Sequence, residues 1–388
     1  MKFVVDENIP LVKQFFGTLG DVTILDTGSI TSEAVRDADV LIVRSETKVG
    51  KQLLEKSAVK FVGTTTIGFD HIDCDYLNSR HIGFANAPGS NANAVKEYVV
   101  AGLLYLSNFY GFDLRGKTIG VVGVGNVGKK IVHAAEVLGM HVLKNDPPLA
   151  RLTADRSFLP LDALADCDII SVHVPLTKTG TDPTYRLFGN KQFQTMKQGT
   201  IFINTSRGEV VETDALQNAI REKRISFSII DVWEHEPSID QEFLSMVTIG
   251  TAHIAGHSLE GKINAVQMVR EQICKHFSLP LPSGPDLTAI MGNSTEVHVP
   301  SDRLQSNETV LHRIVSQCYD IAFDDAQLRG VLLLPLSQRK EYFQKLRSTY
   351  RIRREFSNAI VNLPPQYSSM KSQLSSLGFR LGNPLNPQ

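Results

Sequence analysis

Three side chains suited to moving a proton and holding an anion each follow a strand-like run in the middle third of the chain. Arg207 comes after "TIFINTS", a carboxylate from Glu234 or Glu236 after "SIIDVW", and His253 after "VTIGTA". In open parallel α/β sheets, ligands gather beyond the carboxyl ends of the strands, so a guanidinium, a carboxylate and an imidazole would converge there. The set fits oxidation of an alcohol that sits beside a carboxylate. The alcohol must lose a proton as its carbon loses hydride, and an imidazole titrating near about 6.5 suits that transfer. A neighbouring carboxylate favours the imidazolium and fixes the ring tautomer. A guanidinium grips a substrate carboxylate as a bidentate fork and polarises the reacting oxygen, so the chemistry needs no metal. Taken singly, each residue also fits a surface turn, a solvated loop acid or a satisfied core histidine. The joint pattern is what carries the chemistry.

His253 and His257 stand four apart in "HIAGHS", a spacing that on a helix would suit a metal. Gly256 lies between them, a strand-like run precedes them, and no third ligand pattern accompanies them. The reading is therefore no metal site.

A cofactor site is written upstream. "GVGNVG" sets Gly123, Gly125 and Gly128 in a G-x-G-x-x-G. At this glycine content chance alone produces such a match about one time in seven, so context decides. Here the pattern follows a strand, "TIGVVG", and opens a helix, "NVGKKIVHAAEVLG". The first glycine permits a tight turn, the second lets pyrophosphate approach the backbone, and the third lets helix and strand pack closely. The amides of Asn126 and Val127 would then bind phosphate. Asp146 ends the next strand-like run and suits the ribose hydroxyls of NAD while repelling the extra phosphate of NADP. The plainer alternative is a glycine turn with Asp146 capping the "DPP" turn.

The elements that must position these residues are legible as two α/β sets. "KFVVD", "VTILD", "DVLIVRS", "KFVGTTT" and "GFANA" read as short strands buried on both faces, with helix-like stretches between them. The long apolar run "NAVKEYVVAGLLYLSNF" reads as a buried helix, and six further strand candidates follow it up to residue 252. A helix over 261–277 could return the chain to the first domain. "PLPSGPD" marks a boundary before a last hundred residues of mixed character, ending in a tail, "GNPLNPQ", read as frayed. The expected fold is α/β: two doubly wound parallel-sheet domains, one Rossmann-type for NAD and one flavodoxin-like for substrate, plus a C-terminal α+β domain. The boundaries are 1–93 with 256–280 for substrate, 94–255 for NAD, and 281–388 for the C-terminal domain.

The 388 residues carry a net charge of −1 and 42% hydrophobic residues, with neither a basic stripe for nucleic acid nor an apolar run long enough for a membrane span. Four scattered cysteines and no signal-like start suggest a cytoplasmic protein with reduced thiols.

"GTTTIGFDHID", "GVGNVG", "NTSRGEVV", "DVWEHEP" and "HIAG" together make the chain resemble the D-isomer-specific 2-hydroxyacid dehydrogenases over residues 1–280. The resemblance implies catalysis by Arg207, Glu236 and His253. It implies cofactor contacts at Asn126, Val127, Asp146, the turn of Thr205, Ser206 and Arg207, Asp231 and Gly256. Substrate contacts fall on Ser45 and Thr66, whose plainer reading is strand-end capping. His257 stands where relatives often carry Tyr, and is read either as a contact to substrate or as part of the rim. "VDENIP", "VRSETKV", "NAPGSNANAVKEYV" and "YRIRREF" extend the likeness over nearly the whole chain. That extension implies a member acting on a small phosphorylated 2-hydroxy acid and forming a homodimer through its C-terminal domain. Arg44, Lys48, Arg351, Arg353 and Arg354 are the cations weighed for the phosphate. Within the family, 3-phosphoglycerate is the rival substrate; outside enzymes, the rival is an NAD-sensing corepressor.

Overall fold

A computed structural model describes residues 1–299 and 305–382. The tail beyond residue 382 lies outside them. Packing divides the chain into two compact units, residues 1–91 with 258–293, and residues 92–257 with 294–388. The helices used below are α1 (Ala92–Tyr110), α2 (Gly128–Val137), α3 (Pro147–Thr153), α4 (Leu259–His276), α5 (Asn307–Cys318) and α6 (Leu336–Ser348).

The first unit holds five parallel strands: β1 (Lys2–Asp6), β2 (Asp21–Leu25), β3 (Val40–Val43), β4 (Phe61–Thr64) and β5 (Gly83–Ala85). Their order is β2-β1-β3-β4-β5, the flavodoxin-like arrangement expected. Successive side chains serve opposite layers. Phe3, Val5, Val40 and Ile42 pack with Val266, Val269 and Ile273 of α4, while Val4, Leu41 and Val43 pack with Val35, Leu54 and Leu77 on the other face. This two-sided burial is why the strands read as unbroken apolar runs. β2 departs from that reading. It is an edge strand, and Ile24 is exposed on it. Helix α4 does return the chain to this unit, capped by the Ser258 hydroxyl, which accepts from the Gly261 amide at 2.9 Å.

The second unit is built on six parallel strands: β6 (Thr118–Val122), β7 (His141–Asn145), β8 (Ile169–Val172), β9 (Thr200–Asn204), β10 (Ile225–Ile230) and β11 (Ile249–Gly250). The order is β11-β10-β9-β8-β6-β7. A parallel bridge between Lys144 of β7 and Phe158 marks a further strand position shrunk to one residue pair. Counting it, the order of a dinucleotide-binding sheet is complete.

A small third sheet, β12 (Thr295–His298), β13 (Ala359–Asn362) and β14 (Arg380–Leu381), is also parallel throughout. The C-terminal residues, expected as a domain of their own, pack into the second unit. Val310, Leu311 and Ile314 of α5 share a core with Tyr98, Leu103 and Leu106 of α1. The Glu308 carboxylate accepts from the Leu114 amide at 2.9 Å.

Among the described residues no helix is long and apolar enough to cross a membrane.

Candidate active site

The glycine turn between β6 and α2 has the shape a dinucleotide needs. Gly123 sits at φ +83°, in the left-handed region that disfavours other residues. A Cβ on Gly128 would lie 1.9 Å from the Gly123 carbonyl oxygen, so only glycine lets α2 approach the strand end. A Cβ on Gly125 would meet nothing within 4 Å, which leaves its backbone open to a ligand. The first intrahelical bond is donated by Lys129 to the Gly125 carbonyl at 3.1 Å. The amides of residues 125–128 therefore precede the helical ladder and point their dipoles outward, as an anion site requires. Asp146 Oδ1 caps α3 through the Leu149 amide at 2.9 Å, and Oδ2 accepts from the Val124 amide at 2.8 Å. The carboxylate thus ties β7 to the glycine turn. Each oxygen keeps a lone pair, so capping and ribose binding are compatible. These residues fit a bound dinucleotide.

Beyond β9, Asn204 shapes the turn that carries Arg207. Its Oδ1 accepts from the Ser206 amide (3.0 Å) and hydroxyl (2.7 Å), and its Nδ2 donates to the Arg207 carbonyl at 3.1 Å. Arg207 Nη1 donates to the Ser206 carbonyl at 2.8 Å. His173, just past β8, buttresses the same turn, with Nδ1 3.1 Å from Thr205 Oγ1 and Nε2 2.8 Å from Ser171 Oγ. Burial pushes its imidazole down to about 3, so it is a neutral spacer. His173 lies outside the residues expected from the sequence. Its one signal is a histidine at a strand's carboxyl end before a Val-Pro pair.

Gly208 joins the next two turns. A Cβ there would stand 2.0 Å from the Trp233 carbonyl carbon and oxygen, so the Arg207 turn lies directly on the backbone after β10. In that second turn the two glutamates part company. Glu234 Oε2 accepts from the Thr213 amide at 2.9 Å and caps the helix Thr213–Arg221. Glu236 Oε1 accepts from the Trp233 amide at 2.8 Å, and Oε2 lies 2.7 Å from His253 Nδ1. Burial raises the Glu236 carboxyl, but the His253 imidazole, their hydrogen bond, the Arg347 guanidinium and the Trp233 amide together hold it below the ordinary carboxylate value. An ionised Glu236 accepts a hydrogen bond from Nδ1–H, which leaves Nε2 as the nitrogen that can exchange a proton with a ligand.

His253 itself has φ +55°, a strained setting for a non-glycine residue. Asp231 over-determines it. The His253 amide donates to the Asp231 carbonyl at 2.8 Å. The Asp231 carboxylate accepts from the Ile254 amide (2.8 Å), the Ala255 amide (2.9 Å) and the Thr251 hydroxyl (2.6 Å). The resemblance assigns Asp231 to the cofactor. At 1% exposure, its visible work is to hold the 251–255 turn. Gly256 follows on this turn, and the His257 ring meets the Tyr350 ring edge-on at 5.6 Å.

In the first unit, Ser45 is exposed in the turn after β3. Thr66, beyond β4, donates its hydroxyl to the Gly68 carbonyl at 2.7 Å and lies 2.7 Å from Thr64 Oγ1. That is the strand-end capping already weighed for it. Lys262, in the first turn of α4, was not singled out in the sequence. Burial, and then the charge of Arg44, hold its ammonium below the ordinary lysine value. Among the described residues no group of three or more His, Cys, Asp or Glu is arranged to hold a metal ion.

A parallel sheet with a dinucleotide turn at one strand end and an Arg, Glu, His set at three others defines an NAD-binding dehydrogenase unit. Residues 89–255 match the family model described as "D-isomer specific 2-hydroxyacid dehydrogenase, NAD binding domain", and 297–378 match a domain of unknown function. The chain belongs to the D-isomer specific 2-hydroxyacid dehydrogenase family. Among its relatives are proteins named erythronate-4-phosphate dehydrogenase. The one from Cellvibrio japonicus is 41% identical over 98% of this chain and 100% of its own. The one from Hahella chejuensis is 38% identical over 99% and 100%. Among solved structures, NAD-bound 3-phosphoglycerate dehydrogenase of Entamoeba histolytica is 28% identical with a TM-score of 0.62, covering 72% of this chain and 95% of its own. The TT0316 protein of Thermus thermophilus, 23% identical with a TM-score of 0.62 over 74% of this chain and 100% of its own, shares the fold.

Proposed function

We propose that the chain oxidises 4-phospho-D-erythronate to 2-oxo-3-hydroxy-4-phosphobutanoate with NAD as acceptor, a step of vitamin B6 synthesis. The names of relatives alike over their whole length support the substrate. The observation that carries the chemistry is the 2.7 Å contact between His253 and Glu236, on turns that follow neighbouring strands, with the Arg207 turn packed against one of them. When bound, NAD supplies the acceptor for the hydride given up by the substrate's C2. The glycine turn and Asp146 hold it. Arg207 grips the substrate carboxylate and orients the reacting oxygen. His253 Nε2 takes the hydroxyl proton, and Glu236 stabilises the imidazolium that results.

In this reading residues 1–93 and 256–280 bind substrate, 94–255 bind NAD, and 281–388 join two copies as a homodimer in the cytoplasm. Exposed Leu333, Leu336 and Ile352 on the last segment support a partner there, and light scattering tests it. For the phosphate, Arg44 and Lys262 are favoured, with the exposed Ser45 supplying a hydroxyl and Thr66 kept as a contact to the rest of the substrate. Burial, and then the charge of Arg44, disfavour the Lys262 ammonium, and a phosphoryl dianion would offset both. Of the other cations, Arg351 pairs with Asp324 at 3.2 Å and Arg353 is buried. Lys262→Met should raise KM for the phosphorylated substrate about tenfold and leave NAD affinity unchanged.

The deciding assay follows NADH formation with 4-phosphoerythronate beside 3-phosphoglycerate, which the likeness to the Entamoeba enzyme makes the second substrate to try. Turnover of 3-phosphoglycerate alone overturns the substrate. Tight NAD binding without turnover of any hydroxy acid points to an NAD-sensing protein.

A further inference from the structure

The C-terminal residues reach the acid/base turn directly, from the same compact unit. Arg353 is 4% exposed. Its Nη2 donates to the Ala255 carbonyl at 2.6 Å and to the Ala94 carbonyl in the first turn of α1 at 3.0 Å. Its guanidinium carbon lies 4.5 Å from the centre of the Tyr319 ring. Among the described residues its Nε and Nη1 are buried without a hydrogen-bond partner. Burying donors unpaired is costly. A charge kept inside the protein for two carbonyl bonds therefore points to what those bonds hold. Three residues earlier, Tyr350 lays its ring edge-on against His257, while its hydroxyl donates to Asp324 Oδ2 at 2.6 Å. One short segment thus contacts the turn at Ala255 and again at His257.

Asp231 binds the amides of this turn, but an amide clamp on one side leaves the opposite carbonyl side free to tilt. The Arg353 bond to the Ala255 carbonyl closes that side two residues from His253. We propose that Arg353, assisted by Tyr350, is a positioning residue for His253, so that the C-terminal segment is a working part of the reaction centre as well as an assembly element. The inference rests on His253 being the acid/base of the proposed function.

The test is Arg353→Lys in the full-length protein. Lysine keeps a positive charge near Glu97 and Asp324 but lacks the planar group that lies over the Tyr319 ring and fixes Nη2 against both carbonyls. Turnover is expressed per NAD-binding site, counted by titration, so that loss of folded protein does not count. We expect kcat per site to fall about tenfold, because small misplacements of a reacting group are costly, with KM and NAD affinity within about twofold of wild type. Tyr350→Leu should lower kcat per site in the same direction by about threefold. In a His253→Asn background Arg353→Lys should have no further effect, since residues acting through one another are not additive. Unchanged kcat per site in Arg353→Lys overturns the proposal, as does an equal loss in both backgrounds. If Arg353→Lys does not fold, Tyr350→Leu decides, and unchanged kcat per site there overturns it. Near-normal turnover of His253→Asn itself sinks the acid/base assignment beneath it, a result distinct from either.

Discussion

Two turns of the second unit are held in different ways, and the proposed function gives them different work. The 123–128 turn is secured from within: its conformation depends on glycines, and its main lateral tie is Asp146, at the end of the adjacent strand. The 253–257 turn is secured from outside. Asp231, Glu236 and Arg353 bond to Ile254, His253 and Ala255 from 23, 17 and 98 residues away in the sequence. A binding turn can be written as a local motif because a backbone shape suffices. A proton-transfer turn must carry a particular nitrogen to a particular place, and that takes contacts from several directions.

The largest expected effect separates the two turns. His253→Asn tolerates the left-handed backbone and removes the imidazole, so kcat/KM should fall about 10²- to 10⁴-fold while NAD titrations stay at wild type. Weakened NAD binding would show that the turns are not independent. Next, Asp231→Asn confronts the Ile254 and Ala255 amides with an amide group. Initial rates should fall about 10²-fold as the turn shifts, although the imidazole is untouched. Wild-type rates would mean that the outer contacts are dispensable.

A smaller effect probes the glycine turn. Gly125→Ala has room for its methyl group, so the melting temperature should hold while the NAD dissociation constant rises about tenfold. Gly128→Ala should instead lower the melting temperature, because its Cβ collides with backbone. The reverse pattern would exchange the roles given to the two glycines.

The smallest concerns the buried support behind α1. Burial first, and Glu355 as well, push the Glu97 carboxyl up to about 8 against the pull of Lys96, the Phe356 amide and Arg353. Its folded value lies above its ordinary value of 4.5, so the folded chain binds the extra proton between them. Stability from this group is therefore present below that window and lost as the pH rises through it. Urea titrations near pH ~5.5 and ~8.5 should show wild type weakening and Glu97→Gln weakening less. Equal slopes would remove Glu97 from the account.

Legibility followed the same division. Strand runs, the glycine signature and the residues beyond β9, β10 and β11 are written in adjacent positions, and the two large sheets were readable from them. What escaped depends on distant partners. Nothing local tells Glu234 from Glu236, because the first is defined by the Thr213 amide and the second by His253. His173 and Asn204 look like ordinary strand-end polar residues until their contacts to the 205–207 turn are seen. "RIRRE" reads as a solvated cluster, yet Arg353 is interior because its carbonyl partners come from α1 and the 253–257 turn. The edge position of β2 follows from strand order, which no single strand encodes.

The contact at Gly208 carries a consequence for how such a protein can change over generations. The turn bearing the guanidinium and the turn bearing the carboxylate rest on each other main chain to main chain, with no side chain between them. Their separation is therefore blind to most substitutions in either turn. Other residues of either turn can be exchanged one by one while the spacing between the two is inherited intact. Loss of that glycine would wedge the two apart.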